Sequence, residues 1–174
     1  MPPDRERLAL DMRVTARHLF EHALSESGID RAFQRHVDSE RGVLRVCEDL
    51  FDLSAYARIF VVSIGKAAHT LMNGLEMQAG SRFEGIIASS VAPATQLHGF
   101  RYFQGGHPTP NQESIRAAEA MLKSLRAQNA SSLVLFLISG GGSSMAETPI
   151  DDEISLGDLV ATYHVLVHSG APIA

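Results

Sequence analysis

The sequence is short of the residues and runs that mark several protein classes. Cys47 is its only cysteine, which excludes an internal disulfide framework and makes a cysteine-based zinc site implausible. No apolar run approaches the length of about 20 residues that a bilayer-spanning helix needs. The opening MPPDRERLALDMR is charged throughout and has no apolar core of the signal-peptide kind, so the cytoplasm is the expected compartment. Positive charge is not in excess either. A formal net charge of -5 argues against nucleic acid and against anionic membranes, both of which require a basic face. Neither GxGxxG nor the phosphate-loop spacing GxxxxGKS/T occurs, and there is no internal repeat, low-complexity tract or long linker.

What is present suits one folded domain. The 174 residues are 45% hydrophobic and 20% charged, enough for a substantial core and too apolar for a disordered chain. Apolar residues from Leu8 to Leu24 recur at helical spacing among charges, predicting a helix over Asp4 to Ser25; Gly28 stops it and a second helix covers Ile29 to Val37. VLRV at Val43 to Val46 fits either a strand or an ordered connection. The pattern then alternates. Strands are expected at Ile59 to Ile64, Gly85 to Ser90, Phe100 to Gln104 and Leu133 to Ile138, and helices at Lys66 to Gln78, Gln112 to Gln128 and Ser155 to His168. Asn111 and Ser155 are the expected caps of the last two helices. This order predicts an α/β fold: Rossmann-like, three layers, a mostly parallel sheet, and helices at the N-terminus.

Two strand ends run into glycine and then into a helix, as SIGKA at Ser63 to Ala67 and ISGGGSS at Ile138 to Ser144. Ligands of open parallel sheets collect beyond such ends, where helix N-termini offer free N–H groups to phosphate or carboxylate. One glycine-rich turn alone is most simply a tight turn. Three bare residues followed by Ser143 and Ser144 favour an anion cradle formed by Ser139, Gly140, Gly141, Gly142, Ser143 and Ser144. Gly65 and Lys66 stand at the other turn. A first-turn lysine opposes the helix dipole, which favours a ligand-pairing role over a purely solvated one. His107, in the rigid GGHPTPNQ loop, has two readings: an ordinary loop histidine, or a donor and proton carrier at the site. The acidic run Asp151, Asp152 and Glu153 reads first as a solvated loop rather than a metal site.

The ordered segments VVSIGKAA, GGHPTPNQ, FLISGGGSSM and ISLGDLVATYHVLVHSGAPI, with HLFEHALSESGIDRAFQRHV before them, resemble the class II glycerate kinases. These are the glycerate 2-kinases of the MOFRL type, formerly often labelled hydroxypyruvate reductase, with an N-terminal DUF4147-like domain. The resemblance spans nearly the whole chain, residues 1–174. It implies phosphoryl transfer from ATP to the 2-hydroxyl of D-glycerate with a divalent cation such as Mg2+. It also implies contact of Lys66 with substrate or the transferring phosphate, and a phosphate cradle at Gly140 to Ser144 beside His107, Pro108 and Pro110. Ser63, Asn111, Ser144 and Met145 depart mildly from the family's usual residues. The family continues past SGA-x-I into a basic segment and a C-terminal MOFRL domain, absent from this sequence. The resemblance therefore implies one wall of a two-walled site, with weak or no turnover in isolation. A second reading is an anion-binding module without catalysis, assembled as a homodimer. A reductase is third, disfavoured by the missing dinucleotide fingerprint.

Overall fold

Apolar runs rich in Val, Ile and Phe become strands here because both their faces can be buried between helical layers. The computed structural model describes residues 5–80 and 82–170. The expected helix start at Asp4 and the terminal stretch 171–174 lie outside the described residues. The chain opens with α1 (Arg5–Glu26) and α2 (Ile29–His36). Three short strands follow, β1 (Val37–Glu40), β2 (Val43–Val46) and β3 (Asp49–Asp52), forming an antiparallel sheet in that order. The alternating region is β4 (Arg58–Ile64), α3 (Ala68–Ala79), β5 (Glu84–Ser89), β6 (Phe100–Gln104), α4 (Gln112–Arg126), β7 (Ser132–Ile138), the single turn α5 (Gly142–Met145) and α6 (Leu156–His168).

The four longer-range strands form one parallel sheet in the order β6-β5-β4-β7. Its register sets Val62 beside Ile86 and beside Phe136. Alternation divides the side chains between two cores. Ile59, Val61, Ile87 and Leu133 point toward α3, where Met72, Leu75 and the α2 residue Phe33 complete the packing together with Leu44 of the small sheet. Phe60, Val62, Ile86 and Ala88 point the other way, against Ala117, Ala120 and Met121 of α4. The Rossmann-like three-layer expectation therefore holds for residues 58–138.

Three features refine the sequence reading. VLRV is the central strand of a small sheet whose flanking strands, rich in Asp and Glu, carry no apolar alternation. The helix expected from Lys66 begins at Ala68, because Gly65, at φ +119°, turns the chain before it can coil. Strand β7, the most apolar of the four, lies at the sheet edge with Phe136 and Ile138 more than half exposed.

Candidate functional site

Strand order locates the site. The chain runs outward from β4 to β5 and β6, then returns to place β7 on the opposite side of β4. The connections leaving the carboxyl ends of β4 and β7 therefore separate at the topological switch point, where open α/β sheets bind ligands. These connections are the two glycine-bearing turns.

The turns are tied together through their backbones. Ser139 N–H donates to Ile64 O at 2.9 Å, and Lys66 N–H donates to Gly140 O at 3.0 Å. The Ser139 hydroxyl accepts from Ala67 N–H at 3.0 Å, so this serine is occupied in joining the turns. Gly65 is required by this contact: a Cβ there would stand 2.3 Å from Ser139 Oγ and 2.5 Å from its carbonyl oxygen. Lys66 is thus a neighbour of Gly140, and its side chain is exposed with no ion pair or hydrogen bond among the described residues.

The third loop comes from the β6–α4 connection. Its anchor is Ser114, fully buried, whose hydroxyl accepts from Gly106 N–H at 2.9 Å and from Asn111 N–H at 3.1 Å. Asn111 returns a side-chain bond to Ser114 N–H at 2.9 Å, completing the capping box of α4. This brace holds the exposed His107, followed by a cis peptide to Pro108, above the glycine run. His107 Nδ1 lies 3.2 Å from Ser144 Oγ, and Ser144 Oγ donates to Gly141 O at 3.2 Å. A hydroxyl has one proton. With that proton on the Gly141 carbonyl, His107 carries hydrogen at Nδ1 and donates it to Ser144, leaving Nε2 free to accept in the neutral ring.

Gly141 adopts φ +85°, and a Cβ there would meet the His107 ring at 3.1 Å. Gly140, by contrast, has open space where its side chain would be, and with Ser143 and Lys66 it faces solvent. The arrangement is a shallow dish of bare backbone, one exposed serine hydroxyl, one lysine and one imidazole. Such a surface can receive an oxyanion through N–H and O–H donors and a mobile positive charge.

Two residues overlooked in the sequence border this dish. Tyr163 of α6 has its hydroxyl pKa raised above the usual value, first by burial and then by the Glu147 carboxylate beside it, while Ser143 acts in the opposite direction. Glu147 Oε2 is buried and has no hydrogen-bond partner. No local pattern in the sequence signals this group, because α6 folds back from some twenty residues downstream. His18 and His22 stay on the exposed α1, away from the dish. Among the described residues no cluster of three or more His, Cys, Asp or Glu could hold a metal ion.

Fold and site together define an α/β protein with a glycine-lined dish at the switch point of a parallel sheet. Residues 15–174 match the family model described as "Domain of unknown function (DUF4147)", and the chain belongs to that family. It is similar to the glycerate 2-kinase of Pyrococcus horikoshii, with 29% identity over 166 residues, covering 95% of this chain and 37% of that protein. It is also similar to the D-glycerate 2-kinase of Thermotoga maritima, 30% identical over 118 residues, or 67% of this chain and 28% of that protein. A putative hydroxypyruvate reductase of Agrobacterium vitis matches at 30% over 118 residues. A crystal structure of a Pyrococcus horikoshii OT3 protein superposes with a TM-score of 0.75 at 28% identity, over 92% of this chain and 36% of that one. The glycerate kinase of Thermotoga maritima shares the fold, with a TM-score of 0.70 at 23% identity. The chain therefore spans only 27–37% of the length of these relatives. No helix of the described residues is long and apolar enough to cross a membrane.

Proposed function

We propose that this chain supplies the phosphate-cradling wall of a glycerate 2-kinase, a cytoplasmic enzyme moving the γ-phosphoryl group of ATP to the 2-hydroxyl of D-glycerate. The observation that carries the reading is the convergence, at the switch point of the sheet, of the Gly65–Lys66 turn, the Ser139–Ser144 loop and His107. In this reaction the 2-hydroxyl oxygen forms a bond to the γ-phosphorus, the bond to the β-phosphate oxygen breaks, and ADP leaves with that electron pair. Protein catalysis of such a transfer is chiefly positioning and charge neutralisation. Gly140, Gly141 and Gly142 let backbone donors approach phosphoryl oxygens, Ser143 adds a hydroxyl, and Lys66 supplies a positive charge. His107, with Nε2 free, is the candidate acceptor for the hydroxyl proton.

The dish fits phosphate oxygens. It does not offer a protein cage for Mg2+, whose usual ligands in such sites are phosphate oxygens and water with one or two carboxylates. When bound, Mg2+ neutralises phosphate charge.

Because Lys66, His107 and Ser143 all face solvent, the dish is open on one side, which supports one wall of a cleft and weak turnover by the chain alone. The test is calorimetric titration with inorganic phosphate and with ATP, beside a coupled assay of ADP release with D-glycerate. Saturable phosphate binding with little turnover is expected. Absence of phosphate and ATP binding would refute the cradle, and robust turnover would refute the single-wall reading.

A further inference from the structure

The crossover from β5 to β6 is fastened over the first turns of α3, and a cavity outside the glycine dish lies beneath it. Three contacts hold the crossover. Gln104 Nε2 donates to Ser90 O at 3.3 Å, His69 Nε2 lies 3.0 Å from Val91 O, and Leu97 N–H donates to the Tyr102 hydroxyl at 2.7 Å. The rings of His69 and Tyr102 stack, with centroids 5.8 Å apart and planes 22° from parallel. The cavity, of about 270 Å3, is thus largely pre-formed, which spares a ligand the cost of ordering the loop. A neighbouring cavity of about 320 Å3 shares His69, Pro93 and Tyr102 and extends to Gln104 and Glu113.

The lining selects its ligand partly by what it lacks. It contains no Asp, Glu, Lys or Arg, so it offers a phosphate or carboxylate no counter-charge and suits a neutral group. Ile87, Leu97 and the two stacked rings supply apolar and aromatic surface. The side chains of Thr70, Asn73 and Thr95 make no hydrogen bond among the described residues. The Val91 carbonyl only accepts, so His69 carries hydrogen at Nε2, and Nδ1 of the neutral ring is an acceptor. An amide beside hydroxyls and a ring-nitrogen acceptor matches the donor and acceptor on the edge of adenine, whose usual bidentate partner is Asn or Gln. Guanine presents two acceptors on the corresponding edge and matches less well.

Position agrees with composition. Asn73 lies five residues beyond Ala68, the first residue of α3, a rise of about 8 Å. The Gly65–Lys66 turn stands immediately before that helix, within the span of a ribose triphosphate. In sheets of the order β6-β5-β4-β7, a nucleotide whose phosphates meet the first helix places its ribose beyond the second strand, here β5.

We propose that this cavity receives the adenine ring of the phosphoryl donor, with Asn73 reading its edge and the His69–Tyr102 pair forming its wall. The proposal rests on the phosphate-cradle reading for the nucleotide as a whole, while the adenine contacts are separate and are tested separately.

Calorimetric titration of the 174-residue chain with ATP, GTP, inorganic tripolyphosphate and adenosine is the test. ATP should bind at least about tenfold more tightly than tripolyphosphate or GTP. Asn73→Leu, at an exposed helix position, and Ala94→Trp, which fills the cavity from an exposed loop position, should each abolish that margin. Tripolyphosphate affinity and far-UV circular dichroism should stay unchanged in both. In amide NMR spectra, adenosine should shift Thr70, Asn73 and Thr95. Adenosine binding that Asn73→Leu abolishes, without any tripolyphosphate binding, would uphold the adenine site and refute the phosphate cradle. ATP no tighter than tripolyphosphate or GTP, ATP binding indifferent to both variants, or adenosine shifts confined to Leu122 and Phe136 of the α4–β7 groove would overturn the proposal.

Discussion

Replacing Ser114 by alanine tests the brace that presents His107 to the glycine run. The hydroxyl is fully buried and satisfies two backbone donors, Gly106 N–H at 2.9 Å and Asn111 N–H at 3.1 Å. Asn111 is exposed, so its N–H can turn to water once the hydroxyl is gone. Gly106 is partly buried, and its N–H is left without a partner. An orphaned buried donor costs about 1–3 kcal/mol, while the Asn111 side chain still caps the residue-114 N–H. In a chain of this size that is equivalent to a fall in Tm of about 6 °C. Asn111→Ala is the control. It removes the cap but keeps the Ser114–Gly106 bond, and should cost only about 1 kcal/mol. Urea unfolding followed by circular dichroism, with the slope m unchanged, measures both. If Ser114→Ala costs no more than Asn111→Ala, the Gly106 contact does not hold the loop and the reasoning fails.

The two turns allow sharper contrasts. Gly65→Ala should destabilise strongly, since φ +119° alone costs a side chain about 1–3 kcal/mol and its Cβ would collide with Ser139; thermal unfolding reads this. Gly140→Ala meets open space, so stability should stay within ~0.5 kcal/mol while phosphate affinity falls in titration. Lys66→Ala should leave Tm unchanged and weaken phosphate binding about tenfold, or ~1.4 kcal/mol; an unaltered affinity would remove Lys66 from the cradle. At the start of α6, the Ser155 hydroxyl and then its backbone N–H hold the Asp158 carboxyl below its ordinary pKa of 3.8. A pKa lowered on folding stabilises above the unfolded value and is lost as pH falls through the folded one. Asp158→Asn should therefore remove that part of the acid dependence of α6 helicity below about pH 4, as followed by circular dichroism.

Much of the alternating region is legible in the sequence because its signals are local. The caps Asn111 and Ser155 are specified by residues within three positions of one another, and both form reciprocal capping boxes. The runs IFVVSI and SLVLFLI specify strands by composition alone. The polar strands β1 and β3 escaped notice because they carry no apolar alternation, and because Arg41 and Cys47 take positive φ in their turns, with only Gly42 as a local turn signal. Gly142 to Met145 passed as part of a loop because one helical turn is too short to show a period.

From its sequence, then, this protein is determined to be an α/β chain with two glycine-bearing strand ends, a lysine, a histidine loop and the ordered motifs of its family. Each follows from residue type or from spacing of a few positions, which short-range sterics and hydrogen bonding translate directly into structure. Tertiary structure alone decides that β4 is central and β7 is at the edge, although the β7 run is the more apolar of the two. It also decides that the turns after β4 and β7 meet across the switch point, that Ser139 is spent joining them, and that Tyr163 and Glu147 border the site. These outcomes depend on strand order and on contacts between residues 16 to 75 positions apart. Local sequence sets which strands form, while the choice of neighbour is made by how completely the assembled layers can bury them.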